Sequence, residues 1–274
     1  MSLNEENVGI PIAMIINKST TKKGQSKGHT IISVSDYNQK VSNPKSDIKL
    51  NDENQRFQVV GDPKSERDII YVTGRSGSGK SYFIKDYVIN YYKKIHKNNP
   101  VFLFSALKDD KTIDEIPKLI RINLNTEFAN DDDITVKDFE DSCIIFDDTD
   151  TIKNKIVLAK VNHLLNECLQ VGRHYKITCL ITKHTACNSN DTKIILAESH
   201  QFVIFPQGLG NRSLKYLLDN YLGLDKNQVK RIKNQNSRWV SINRRTFPLS
   251  VVSEKECFIL SNNDDEEENN HIIL

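Results

Sequence analysis

Residues 68 to 83, Asp68-Ile-Ile-Tyr-Val-Thr73-Gly74-Arg-Ser-Gly-Ser-Gly79-Lys80-Ser81-Tyr82-Phe83, decide the fold. An apolar, β-branched run (DIIYVT) is followed by eight residues that fit G-x-x-x-x-G-K-[ST] without a mismatch, and then by the helical run SYFIKDYVINYYKKIH. Strand, glycine-rich loop and helix stand in the order that a phosphate-binding loop needs. The glycines let the backbone fold around a β-phosphate with N–H groups pointing inward, and the start of the helix adds its positive end. Candidate nucleotide-binding residues are Gly74, Arg75, Ser76, Gly77, Ser78, Gly79, Lys80, Ser81 and Tyr82. Lys80 is expected to reach the β and γ phosphates of ATP, and the Ser81 hydroxyl to ligate Mg2+. The competing reading is a glycine-rich turn that binds nothing.

Outward from this loop, from about Phe57 to Pro206, short β-branched runs alternate with helical segments. That alternation predicts an α/β fold with a mainly parallel sheet flanked by helices. Strands are expected at FQVV (57 to 60), DIIYVT (68 to 73), VFLFS (101 to 105), SCIIFD (142 to 147), KITCLIT (176 to 182) and QFVIF (201 to 205). Several are nearly continuous apolar runs, as strands covered on both faces should be. Helices are expected to begin near Gly79, Asn154 and Asp191. The second carries Val157, Val161, Leu164, Leu165, Cys168 and Leu169 at helical spacing, a core stripe.

A nucleotide site that hydrolyses needs an acid on the metal side, and SCIIFDDTD supplies one where ligands gather in open α/β sheets, at the carboxyl end of a strand. Asp147 is expected to hold Mg2+ through water and Asp148 to polarise the attacking water as general base, with Asp150 a third acid. The plain alternative is a strand that ends in a polar turn. Ile181-Thr182-Lys183-His184 ends the next strand, which makes Thr182 and His184 candidates for sensing the γ-phosphate, or for a capping role. Arg173 and Arg212 are candidate arginine fingers for a neighbouring subunit's phosphate; Arg173 equally suits the carboxyl end of a helix.

The chain has 274 residues and a mass of 31.4 kDa, is 38% apolar and 27% charged, and holds 11 glycines and 7 prolines. Collagen-like and wholly disordered readings drop out, and no apolar run approaches the roughly 18 residues of a membrane helix. IPIAMII near the start lacks a preceding basic region, so the chain is expected not to be secreted. Cys143, Cys168, Cys179, Cys187 and Cys257 form no CxxC pair and are expected to be small buried apolar residues.

Residues 1–56 are polar and predict a partly disordered arm, in which IPIAMII and HTIISV have the composition for a β-hairpin with a basic tip. Residues 57–206 are the expected ATPase core, 207–260 a basic helix and strand extension packed on it, and 261–274 an acidic disordered tail. Net charge is +2, but Asp264, Asp265, Glu266, Glu267 and Glu268 lie in the tail, and without them 38 basic residues face 31 acidic ones. Between Arg212 and Arg245 stand nine basic residues (Arg212, Lys215, Lys226, Lys230, Arg231, Lys233, Arg238, Arg244, Arg245) against two acids, with Tyr216 and Trp239 interleaved. Such a segment is either a phosphate-tracking surface for nucleic acid or a solvated face, and Trp239, in an alternating strand pattern, fits a core better.

IIFDDTD, NHLLNECLQVGRHYKITCLITKH, YLGLD and RWV together resemble the virion DNA-packaging ATPases of large double-stranded DNA viruses, the poxvirus-type branch of the FtsK/HerA superfamily, over about residues 57 to 260. The resemblance implies a RecA-like core and a homo-oligomeric ring, usually a hexamer. It also implies ATP hydrolysis that drives double-stranded DNA into a capsid, a capsid or portal partner, and a place in the host cytoplasm or the virion. By it Lys80, Ser81, Asp147 and Asp148 are catalytic. Asp148 stands where cellular branches often carry Glu, and Lys183-His184 where they carry a Gln sensor. A P-loop kinase, a nucleotide-gated non-motor adaptor and a single-strand helicase use the same loop and remain alternatives.

Overall fold

The computed structural model describes residues 1–17 and 29–260, and the chain divides into two units, Val60–Gly210 and a second built from Met1–Val59 together with Asn211–Leu274. Strands β1 (Ser2–Asn4), β2 (Ile10–Asn17), β3 (Ile31–Ser35), β4 (Asp47–Lys49) and β5 (Gln55–Val59) come first. β2 and β3 pair antiparallel as the expected hairpin, and β1 and β5 flank them in the order β1-β3-β2-β5. Leu3, Ile12, Ala13, Met14, Ile32 and Val34 are buried, so these residues form a packed sheet where the composition predicts an arm. The expected basic tip, at 18–28, lies outside the described residues.

FQVV is not a strand of the parallel core. It lies in β5, antiparallel to β2 with Ala13 opposite Val59. A short apolar run carries no mark of its partner, and the open edge of β2 takes it.

The Val60–Gly210 unit holds β6 (Ile69–Thr73), β7 (Val101–Ser105), β8 (Leu119–Arg121), β9 (Cys143–Asp147), β10 (Thr178–Lys183) and β11 (Gln201–Ile204). All are parallel, in the spatial order β11-β6-β10-β9-β7-β8. After β6 the chain passes over two positions to β7, adds β8 outside it, returns to place β9 on the inner side of β7, and fills the remaining gap with β10, the RecA-like arrangement with an additional strand beside the phosphate loop. The register aligns Thr73 with Lys183 and Ser105 with Asp147, so the carboxyl ends of β6, β7, β9 and β10 share one edge.

Helix α1 (Lys80–Tyr87) continues through a π-helical turn, Val88–Tyr92, into α2 (Lys93–Ile95); α3 spans Thr126–Asn130, α4 Lys155–Gln170 and α5 Ser189–Glu198. α4 buries the predicted stripe from Val157 to Leu169. Asn154 caps its start, accepting from the N–H groups of Ile156 at 3.0 Å and Val157 at 3.4 Å. The buried Arg67 guanidinium donates to the carbonyls of Cys168 and Leu169 at its end, where a cation suits the helix dipole.

In the other unit α6 (Asn211–Lys215) runs into a π-helical turn that ends before Gly223, whose φ of 68° breaks the helix. α7 (Lys226–Lys233) starts with a capping box between Asp225 and Gln228. β12 (Val240–Asn243), β13 (Ser250–Ser253) and β14 (Glu256–Ile259) form an antiparallel meander, and β4 adds to β14 with Ile48 opposite Cys257. The predicted C-terminal extension thus shares a unit with residues 1–59. The expected acidic tail lies outside the described residues. Cys143, Cys168, Cys179 and Cys257 are buried free thiols, and Cys187 is half-buried.

Candidate nucleotide site

Strand β6 is buried at all five positions and delivers the chain into the loop at Gly74, whose N–H donates to Lys183 O at 3.2 Å. A Cβ on Gly74 would stand 2.7 Å from Ser78 Oγ and 2.8 Å from Phe205 Cβ, too close for any other residue. Gly77 (φ 73°) and Gly79 (φ 112°) take left-handed backbone that side chains avoid, and Gly79 leads directly into α1. The first N–H groups of a helix have no partner inside it, which is what an anion site at such a terminus uses. Arg75 and Ser76 are exposed on the loop; Tyr82 is exposed too, with Lys85 Nζ 4.9 Å from its ring centroid.

Lys80 is only 6% exposed. Its amine donates to Gly74 O at 3.0 Å and lies 3.3 Å from His184 Nδ1 and 3.5 Å from Asp148 Oδ2. His184 Nε2 in turn stands 3.0 Å from the same Asp148 oxygen. The structure therefore joins Lys80, Asp148 and His184, three residues from three elements that the sequence places far apart.

Thr182, at the end of β10, ties the two acids together. Its hydroxyl lies 2.8 Å from Asp147 Oδ1 and 3.1 Å from Asp148 Oδ1, and it accepts from the Asp148 N–H at 2.9 Å. Asp148 has a φ of 43°, a left-handed conformation uncommon outside glycine. Asp147 is buried, and Ser105 Oγ at the end of β7 donates to its Oδ2 at 3.3 Å. Burial foremost, then the charge of Asp148, raises its carboxyl above the usual carboxylate range despite the Thr182 hydrogen bond. Asp150 reaches Lys183 at 3.6 Å, a buried lysine that also donates to Thr149 Oγ1 at 3.3 Å.

Ser81 and Asp147 offer a hydroxyl and a carboxylate, hard oxygen donors that fit Mg2+, which keeps several waters and needs few protein ligands. Among the described residues no group of three or more His, Cys, Asp or Glu is arranged to hold a metal by itself. Two residues escape the sequence reading. Ser105 follows from no motif, and Asp110, whose Oδ2 accepts from Ser81 Oγ at 3.3 Å, sits in a loop past β7. The signal that marks them is position: Ser105 ends the strand beside β9, and Asp110 lies in the loop that follows it.

Arg173 is not brought to this site. It precedes β10, is 73% exposed, and binds Glu66 at 2.6 Å, at the amino ends of β10 and β6 and so at the opposite edge of the sheet. The Arg173 guanidinium holds the exposed Glu66 carboxyl below the usual range. Arg212 lies exposed on α6 in the other unit. In that unit Tyr216 is 50% exposed and Trp239 is buried at 7%, which settles Trp239 as a core residue.

Sheet order, loop geometry and the acids beside the loop define an α/β protein with the P-loop NTPase fold. No family model matches the chain. It is 37% identical over 191 residues to the uncharacterized protein V3 of Sputnik virophage, covering 69% of this chain and 75% of that protein, and it belongs to the V3 family. Solved structures with a similar fold include B204, the DNA-packaging ATPase of Sulfolobus turreted icosahedral virus, at 16% identity and a TM-score of 0.48, over 69% of this chain and 98% of that one. The conjugation coupling protein TcpA of pCW3 is similar at 8% identity and a TM-score of 0.41, over 97% of this chain and 89% of that one. Among the described residues no helix is long and apolar enough to cross a membrane.

Proposed function

We propose that the chain is an ATP-hydrolysing translocase of the FtsK/HerA superfamily that packages double-stranded viral DNA into a capsid, as a homo-oligomeric ring such as a hexamer. The observation that carries the hydrolytic part is the join between Lys80, Asp148 and His184, which sets a phosphate-binding cation beside a carboxylate at the rim of the sheet. Gly74 to Tyr82 bind the nucleotide, and Lys80 neutralises the β and γ oxygens. Ser81 and Asp147 hold Mg2+, which when bound offsets phosphate charge. Asp148 takes a proton from the attacking water, and His184 and Thr182 hold that carboxylate in place.

The viral and DNA assignments are supported by the resemblance to packaging ATPases and by membership in a virophage protein family. The basic segment from Arg212 to Arg245 is the candidate DNA surface, with Tyr216 as its exposed aromatic. A finger arginine comes from a neighbouring subunit, with Arg173 and Arg212 as candidates. The protein acts in the virion or at the assembly site in the host cytoplasm.

The test is ATP-driven displacement of a triplex-forming strand from duplex DNA. The wild type is expected to displace the strand with ATP, and Asp148→Asn to bind nucleotide yet displace none. Displacement by the variant at the wild-type rate, or none by the wild type, contradicts the proposal.

A further inference from the structure

Asp110 stands five residues past the end of β7, on a loop that leaves the sheet at the edge where Asp147 sits, since Ser105 is opposite Asp147 in the β7 and β9 register. Its carboxylate divides its two oxygens between two tasks. Oδ1 accepts from the N–H groups of Thr112 at 2.7 Å and Ile113 at 3.0 Å, at the start of the short 3-10 turn Ile113–Glu115. Oδ2 accepts from Ser81 Oγ at 3.3 Å. The Asp110 N–H donates to Asp114 Oδ2 at 2.7 Å, and Asp114 is bound in turn by Arg121 at 2.5 Å. The loop thus orients one carboxylate oxygen through its own backbone and presents the other to the phosphate loop.

A serine hydroxyl has one proton and two lone pairs. When the proton points at a carboxylate, the lone pairs are left for a cation and the oxygen gains electron density. Carboxylates that orient metal ligands in this way tune affinity without touching the metal. We propose that Asp110 is a positioning residue of the nucleotide site: it turns the Ser81 hydroxyl so that its lone pairs face the divalent cation that accompanies a bound nucleotide. The loop from 106 to 115 is thereby tied to the occupied site. This inference rests on the nucleotide-binding reading of the phosphate loop.

A role confined to the loop itself predicts something different, and Asp110→Asn separates the two. Asparagine keeps a carbonyl oxygen for Thr112 and Ile113, and it caps such turns as well as aspartate does. In place of Oδ2 it puts an NH2 group, which donates and cannot accept from Ser81. The measurement is titration of the full chain with a fluorescent mant-ADP, once with Mg2+ and once with EDTA, the ratio of the two dissociation constants giving the metal-dependent part of the affinity.

Asp110→Asn is expected to cut that ratio by about tenfold while leaving the EDTA value unchanged. Ser81→Ala is expected to lose the same part, and Asp110→Asn to add nothing in that background, because the aspartate acts through the hydroxyl. Three results overturn the inference: an unchanged ratio, an equal loss in EDTA, or a further loss on top of Ser81→Ala, which would make Asp110 a ligand in its own right. Failure of the wild-type chain to bind mant-ADP at all removes the nucleotide reading and this inference with it, whereas the other results strike the inference alone.

Discussion

Lys80 shows how the site is built at the scale of single residues. A lysine that is 6% exposed is costly unless paired, and here the amine is satisfied by a loop carbonyl, a histidine nitrogen and a carboxylate. Replacing Lys80 with Ala removes the cation of the phosphate cradle, and nucleotide affinity should fall by about 10- to 100-fold, the value of a charged hydrogen bond. His184→Ala should behave differently, because His184 touches Asp148 and the lysine and stands outside the glycine loop. Affinity should hold while turnover drops by up to about a hundredfold, the cost of a misplaced catalytic group. Mant-ADP titration and phosphate release measure both; a His184→Ala protein that binds as weakly as Lys80→Ala would move the histidine into the cradle. The glycine loop was legible because its backbone demands glycine at fixed spacing, with left-handed φ at Gly77 and Gly79. Asp110 was not, because its partner Ser81 is 29 residues away and a contact between two loop ends leaves no periodic trace in either.

Elements were readable where their own residues carry a repeating pattern. The stripe on α4 has helical spacing and an Asn in the capping position, and the structure buries that stripe. Asn154→Ala removes the cap on an exposed residue, so it should cost about 1 kcal/mol in a denaturant melt while leaving nucleotide affinity unchanged. A loss of affinity as well would mean that the start of α4 moves with the acids of the neighbouring turn. Strands β1, β4 and β8 have three residues each, too few for a period of two to declare itself. β5 has the composition of a buried strand, which leaves its partner open; it joins β2 through a ladder that begins 38 residues earlier in the chain at Asn17. The edge of the parallel sheet was the most legible feature, since acids and polar residues end β9 and β10 where ligands collect.

For the molecule as a whole, the least legible feature is the unit made from both ends of the chain. Residues near the C-terminus secure residues 1–59: β4 on β14, Phe57 N–H to Glu254 O at 2.9 Å, and Lys255 Nζ to the carbonyls of Asp52 and Gln55 at 2.7 and 2.6 Å. Pairing across about two hundred residues is invisible to local pattern, which is why those residues read as an arm. The nucleotide unit holds Lys80 and Lys183 beside its acids, but Arg173 is tied to Glu66 at the far edge of the sheet. A subunit that borrows its arginine hydrolyses slowly alone and faster in company. The most direct measurement is therefore the steady-state ATPase rate of the full chain, with and without duplex DNA, over a range of protein concentrations. Turnover per subunit that rises with both DNA and protein concentration is the predicted result; a rate indifferent to both would contradict an oligomeric DNA translocase and favour a kinase or a nucleotide-gated adaptor.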